Sequence, residues 1–258
     1  MDTILLDIKD QVATVTLNRP DELNCFNYNT IIELEECVEN IRMNPNVVIT
    51  IFTGAGEKAF SAGADLKERK LLTEEEVKRN LYKIGEVFSK IEQLPQPTIA
   101  AINGYAFGGG LELALCCDLR IIAEGTRIGL TETSLAIIPG AGGTQRLPRI
   151  IGESKALELI LTARKLTSKQ AFSYGLAHDI VSPAELMEKA RELADEIKKN
   201  GPIALKQAKF AIKNGMNTDL QTGLQIERKA YEVTIPTKDR KEALQAFSEK
   251  RSPQFKGK

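Results

Sequence analysis

Nine glycines fall between Gly104 and Gly143, in or beside apolar segments. A residue without a Cβ in such surroundings marks close approach of backbone to a ligand or to another strand. The stretch Thr98 to Arg149 that holds these glycines also carries two acids. An apolar strand-like segment, Thr98-Ile99-Ala100-Ala101-Ile102, leads through Gly104 and Gly108-Gly109-Gly110 into Leu111-Glu112-Leu113-Ala114-Leu115-Cys116-Cys117, which reads as a mostly buried helix with Glu112 in its first turn. Glu132 follows in Gly129-Leu130-Thr131-Glu132-Thr133, before the turn Pro139-Gly140-Ala141-Gly142-Gly143-Thr144 and a second helix start. Each acid has an ordinary explanation, Glu112 as a first-turn acid favoured by the helix dipole and Glu132 as a loop acid; the alternative is a catalytic pair.

The same unit occurs earlier in the chain. Val47 to Phe52 is a nearly continuous β-branched and apolar run, the mark of a strand buried on both sides. After it come Gly54 and Gly56, then Phe60-Ser61-Ala62-Gly63-Ala64-Asp65-Leu66. Strand, glycine turn, aromatic, small residues and helix start thus appear twice. Two such units side by side would each offer a backbone N–H at a helix N-terminus, and a pair of N–H groups is what a developing oxyanion requires. The plainer alternative is two tight strand-to-helix connections.

The 258 residues are 42% hydrophobic and 27% charged, enough for a substantial core as one large domain or a domain with an appendage. Formal net charge is zero and the pI is near 6.7, so no global field gathers nucleic acid or a membrane surface. Cys25, Cys37, Cys116 and Cys117 lack metal-ligand spacing and read as reduced core residues. The single histidine, His178, excludes a histidine-rich metal site and suits a structural position at a strand edge. No metal is expected. The N-terminus lacks a basic region followed by an apolar one and no run approaches a membrane span, so the expectation is a cytoplasmic protein.

Val12 to Leu17 alternates as a half-buried strand and stops at Asn18-Arg19-Pro20. A helix over about 29–42 follows, its outer face acidic with Glu33, Glu35, Glu36 and Glu39. Lys67-Glu68-Arg69-Lys70 reads as polar and mobile, and Thr73 to Gln93 as an amphipathic helix ended by Pro95 and Pro97. Helices are expected over 154–162, 168–174, 183–199, 202–213, 219–233 and 237–250. The strand signal is strong only in the first half. The expectation is therefore a sheet-bearing core over 1–190 and a helical region over 191–258, suited to packing on the core or on another subunit.

At this point Phe60-Ser61-Ala62-Gly63-Ala64-Asp65-Leu66-Lys67, Gly108-Gly109-Gly110-Leu111-Glu112-Leu113, Cys117-Asp118-Leu119-Arg120, Ile138-Pro139-Gly140-Ala141-Gly142-Gly143-Thr144-Gln145-Arg146-Leu147 and Ala246-Phe247-Ser248-Glu249-Lys250-Arg251 together resemble the enoyl-CoA hydratase (crotonase) family. The resemblance implies an α/β fold, a spiral of strand-strand-helix repeats with a C-terminal helical oligomerisation region that forms homotrimers or dimers of trimers. It implies an acyl-CoA substrate, with coenzyme A part of that substrate and no further cofactor. Ala64 and Gly109 match the family's oxyanion-hole amides, Glu112 and Glu132 both catalytic glutamates, and Gly140 a position near the water. Ala62, Asp65, Leu66 and Lys67 match the segment that binds the adenine and pantetheine portions of coenzyme A, and Phe247 and Lys250 match tail residues that reach a CoA site.

Having both glutamates points to hydration of a short or branched 2-enoyl-CoA, with double-bond isomerisation as the enzymatic rival. The segments Ala62 to Arg69, Glu132 to Pro139 and Thr234 to Arg240 look closest to the methylglutaconyl-CoA hydratase branch, which suggests leucine degradation, although no cation for a distal carboxylate is identifiable in the sequence. That branch includes an AU-rich-RNA-binding member with lysines on an early helix. The corresponding segment here is acidic, which argues against RNA; Lys206, Lys209 and Lys213 form only a smaller basic group.

Overall fold

The computed structural model describes residues 2–258. The chain divides into two units, one of residues up to Leu94 with Thr98–Arg191, the other of Pro95–Pro97 with Glu192–Lys258. In the first unit, β1 (Ile4–Lys9) and β2 (Val12–Leu17) form a hairpin, and α1 (Tyr28–Met43) opens with the Asn27 side chain accepting the Thr30 N–H at 2.8 Å. Three strand-strand-helix repeats follow. The first is β3 (Ile49–Gly54), β4 (Ala59–Ser61), α2 (Leu66–Arg69) and α3 (Glu74–Glu92). The second is β5 (Thr98–Ile102), β6 (Tyr105–Phe107) and α4 (Gly109–Cys116). The third is β7 (Leu119–Ala123), β8 (Arg127–Gly129) and α5 (Gly143–Ile151), reached through a 3-10 turn at Glu132–Leu135. Then come α6 (Glu153–Leu161), β9 (Leu166–Thr167), α7 (Ser168–Ser173), β10 (Asp179–Val181) and α8 (Leu186–Lys198), which crosses into the second unit.

Each repeat gives its first strand to one sheet and its second to another. The six-stranded sheet runs β1-β2-β3-β5-β7-β10, parallel from β2 onward, and the four-stranded sheet runs β4-β6-β8-β9. This is the α/β spiral that the resemblance implies. The expectation for β2 is corrected: it is buried along nearly its whole length rather than on alternate residues, because β1 and β3 flank it and Ala13, Val15 and Leu17 join the core. β3 is buried at every position, as its β-branched run predicts.

A second correction concerns Lys67 to Lys70. These residues are not a mobile linker but the helical turn α2, because Asp65 Oδ1 accepts the N–H groups of Lys67 and Glu68 at 3.0 and 3.2 Å. The Glu68 carboxylate in turn accepts the Tyr28 N–H at the start of α1. α3 carries the Thr73–Glu76 capping box and packs Val87, Phe88 and Ile91 into the core.

The second unit holds α9 (Pro202–Gly215), α10 (Leu220–Thr234) and α11 (Lys238–Glu249), close to the expected bounds. Lys209 Nζ donates to the Gln96 carbonyl at 3.0 Å, which explains why the proline segment belongs with these helices. Asp239 accepts the N–H groups of Lys256 and Gly257 at 2.8 Å each and so ties down the chain end. Among the described residues, no helix is long and apolar enough to cross a membrane.

Candidate active site

The positioning of the site begins with Gly63 and Gly110. Gly63 has φ +94, and a Cβ there would meet the Phe107 carbonyl at 2.8 Å and the Gly109 nitrogen at 3.0 Å. A Cβ on Gly110 would run into the Ser61 carbonyl. The segment after β4 and the N-terminus of α4 therefore touch through backbone alone. That contact brings the Ala64 and Gly109 amides together, and among the described residues neither donates to a protein acceptor.

A cavity of about 240 Å³ opens at these amides. All its lining residues belong to the first unit, and they include Ala62, Ala64, Asp65, Leu66, Gly109, Glu112, Glu132 and Gly140. Lys67 is exposed and does not line it. Phe247 and Lys250 lie in the second unit, Phe247 at 86% exposure and Lys250 closing α11 in a left-handed conformation.

Glu112 is only 3% exposed. Its Oε1 accepts the N–H groups of Ala141 and Gly143, each at 2.8 Å. Burial pushes its pKa above the usual carboxylate range, against the opposing pull of the Gly143 and Ala141 amides. The turn supplying these amides depends on Gly142 at φ +103, and Arg146 holds it by donating to the Ala141 carbonyl at 2.8 Å while pairing with Glu92 at 2.7 Å. Gly140, expected near the water, lies on the cavity wall against Leu81. The amides of Ala141 and Gly143 were not singled out in the sequence, and their signal was the Gly142-Gly143 pair.

Glu132 stands at the start of its 3-10 turn against Gly108, whose absent Cβ would lie 3.0 Å from Glu132 Oε1. Its Oε2 is buried without a hydrogen-bond partner among the described residues. Burial, and after it the charge of Glu112, push the Glu132 pKa up to about 7. Arg69 works in the opposite direction and lines the same cavity.

Other residues singled out in the sequence have holding roles. Asp65, besides capping α2, pairs with Arg19 at 2.9 Å; burial opposes its ionisation, yet Arg19 and the capped amides keep its pKa below the ordinary value. In Cys117-Asp118-Leu119-Arg120 the arginine is buried and donates to the Leu176 and Cys117 carbonyls at 2.7 Å each. His178 Nδ1 accepts the Arg120 N–H at 3.1 Å, outside the cavity lining, so its place is structural. All four cysteines are free, and three of them are buried.

A family model described as enoyl-CoA hydratase/isomerase matches residues 7–258. The chain is 42% identical to the short-chain-enoyl-CoA hydratase of Clostridium acetobutylicum, over 97% of this chain and 96% of that one. It is 47% identical to the human mitochondrial methylglutaconyl-CoA hydratase, over 95% of this chain and 74% of that one. A crystal structure of an enoyl-CoA hydratase from Bacillus anthracis superposes with a TM-score of 0.98 at 52% identity, covering 99% of this chain and all of the other. With its paired spiral sheets and a cavity joining two acids to two free amides, the chain is an enzyme of the enoyl-CoA hydratase type and belongs to the enoyl-CoA hydratase/isomerase family.

Proposed function

We propose that this enzyme adds water across the 2,3 double bond of a short or branched 2-enoyl-CoA, using Glu112 and Glu132 as its acids and the amides of Ala64 and Gly109 as its oxyanion hole. The observation that carries this reading is the buried, unpartnered Oε2 of Glu132 in the cavity it shares with Glu112 and the two free amides. A buried polar atom without a partner requires one from a ligand or a water.

Attack of water at C3 moves negative charge onto the thioester oxygen. Two preorganised N–H donors lower that barrier by about 3 to 4 kcal/mol each. Glu132, with a pKa near 7, activates and aligns the water, while Glu112 holds the same water and helps pass a proton to C2. Glu112 suits the holding role because two amides already fix its Oε1. Gly140 borders the water's side of the cavity. The addition is redox-neutral and needs no cofactor beyond the coenzyme A of the substrate.

For that coenzyme A we assign Ala62, Asp65, Leu66 and Lys67 at the adenine and pantetheine end, with Phe247 and Lys250 from the helical region. The second unit leaves Phe210, Ile212, Met216, Leu220, Tyr231 and Phe247 exposed, which supports assembly into trimers or paired trimers. Lys209 is already engaged by the Gln96 carbonyl, and Glu35 on the face of α1 pairs with Lys83 and Lys90, so the RNA reading gains no support.

The test is loss of absorbance at the conjugated thioester band, with crotonyl-CoA and methylglutaconyl-CoA compared in parallel. Hydration is expected, with kcat reduced about 10²- to 10⁴-fold in both E112Q and E132Q. An isomerase would survive loss of one acid, and absence of turnover on any enoyl-CoA would overturn the assignment. Sedimentation of the purified protein checks the trimer.

A further inference from the structure

We propose that Arg146, clamped by Glu92, is a positioning residue for the hydration: it fixes the two amides that hold Glu112 and so sets how that acid presents its other oxygen to the water. This rests on the hydration reading above and deepens it by naming a pair of residues, both outside the cavity lining, on which the reaction depends.

Arg146 is the fourth residue of α5, and its side chain, 14% exposed, reaches back over the turn that precedes the helix. Its Nη1 donates to the Ala141 carbonyl at 2.8 Å, while Nε and Nη2 meet Glu92 Oε2 at 2.8 and 2.7 Å. One planar fork thus bridges a carbonyl and a carboxylate at once. The Ala141 carbonyl lies between the two amides that hold the acid. The Ala141 N–H comes one peptide before it and the Gly143 N–H one peptide after, and both end on Glu112 Oε1 at 2.8 Å. A carbonyl held by Arg146 cannot turn toward the carboxylate, so the N–H groups on either side stay aimed at Oε1.

Two features set this contact apart from ordinary helix packing. The first turn of a helix carries the positive end of its dipole, where an acid is the favoured neighbour and a cation is not. Among its first-turn residues α5 has no acid, and a guanidinium lies over that end instead. Gly142, at φ +103, adds the second feature, because a Cβ on it would run into Arg146 Nη1. Both the conformation of the turn and its missing bulk let the guanidinium sit there.

The clamp also reaches the acyl side of the cavity. Glu92 is the last residue of α3, and the same helix puts Val77, Leu81 and Ile84 on the cavity wall. Leu81 and Glu92 stand about three turns apart, hence on one side of α3. Leu81 packs where a Gly140 Cβ would be, one residue before the carbonyl that Arg146 holds. The helix α3 therefore meets the turn directly at Gly140 and, through Glu92 and Arg146, at Ala141. With one oxygen of Glu112 fixed by this assembly, the water meets an acid whose geometry is set before substrate arrives.

The experiment is a double-mutant cycle on crotonyl-CoA hydration by the full chain. R146M is expected to lower kcat about 10- to 100-fold, up to what a misplacement of about 1 Å costs, with KM within about twofold of wild type. In the E112Q background the same change should lower kcat by less than about threefold, because the acid it positions is gone. R146K keeps the charge without the fork and is expected to recover only part of the rate. A merely structural Arg146 would lower kcat by the same factor with or without Glu112, and that additivity overturns the proposal. Full recovery in R146K overturns it too, since charge alone would then suffice. Should R146M fold poorly, E92Q decides: releasing the clamp is expected to lower kcat about 3- to 10-fold at unchanged KM, and wild-type kcat in folded E92Q sinks the idea. A wild type without turnover on crotonyl-CoA, or an E112Q protein as fast as the wild type, would overturn the hydratase assignment itself and this inference with it.

Discussion

Glu112 Oε1 accepts the Gly143 N–H at 2.8 Å, and the position a Gly143 Cβ would take is only 3.0 Å from that same oxygen. The amide that holds the acid therefore comes from a residue whose side chain must be absent. A Cβ there would also lie 2.9 Å from both Leu130 Cδ1 and Pro139 Cβ. Gly143→Ala is expected to cost about 1 to 3 kcal/mol of stability through overpacking, read by thermal unfolding. Because Glu112 is displaced as well, kcat on crotonyl-CoA should fall by more than that loss of folded protein explains.

The acid Glu132 makes both activity and stability depend on pH. As the base it must be ionised, so kcat/KM is expected to fall as pH drops through about 7. Stability runs the other way. The folded pKa is raised, so the native state binds more protons than the unfolded chain between the two pKa values, and the stabilisation present at low pH is lost as pH rises toward 7. E132Q should flatten this part of the stability profile. Denaturant titrations of both proteins across pH 4.5 to 7.5 (roughly the span between the ordinary and the raised value) check it, and an unchanged slope would count against the burial of this carboxyl.

At Gly110 the limit is steric. Its missing Cβ admits the Ser61 carbonyl, so Gly110→Ala must push α4 away from β4 and separate the Gly109 amide from that of Ala64. We expect a loss of about 1 to 3 kcal/mol by overpacking, together with a fall in kcat larger than any change in KM. Wild-type kinetics in a folded G110A protein would show that the amide pair is not used.

Asp65 offers a milder test. Its side chain caps α2 and pairs with Arg19 while 8% exposed. Asp65→Ala is expected to cost about 0.5 to 2 kcal/mol for the cap alone, and the freed α2 should loosen Leu66 and Arg69 at the cavity wall. The kinetic signature is a raised KM with a smaller effect on kcat. Asp65→Asn, which keeps a capping oxygen but not the charge, should recover part of the stability.

Much of this protein was written in local patterns. Helix periodicity, the Thr73 cap, the β-branched run of β3 and the glycine-rich turns all act over a few residues, and their elements stand close to where the sequence placed them. The doubled strand-glycine-helix unit implied a pair of helix-terminal amides, and the family resemblance put them at Ala64 and Gly109. Contacts made across long stretches of chain were not legible in this way. The hydrogen bonds from Ala141 and Gly143 to Glu112 span 29 and 31 residues, and the Arg19–Asp65 pair spans 46. Whether Arg69 faced solvent or the cavity was equally undecided, because a polar tetrapeptide looks alike in either setting until a cap and a neighbouring wall orient it. Local chemistry determined the elements and the acids; only packing decided which amides hold Glu112 and how far burial raises Glu132, since desolvation and charge depend on neighbours that the chain brings together only when folded.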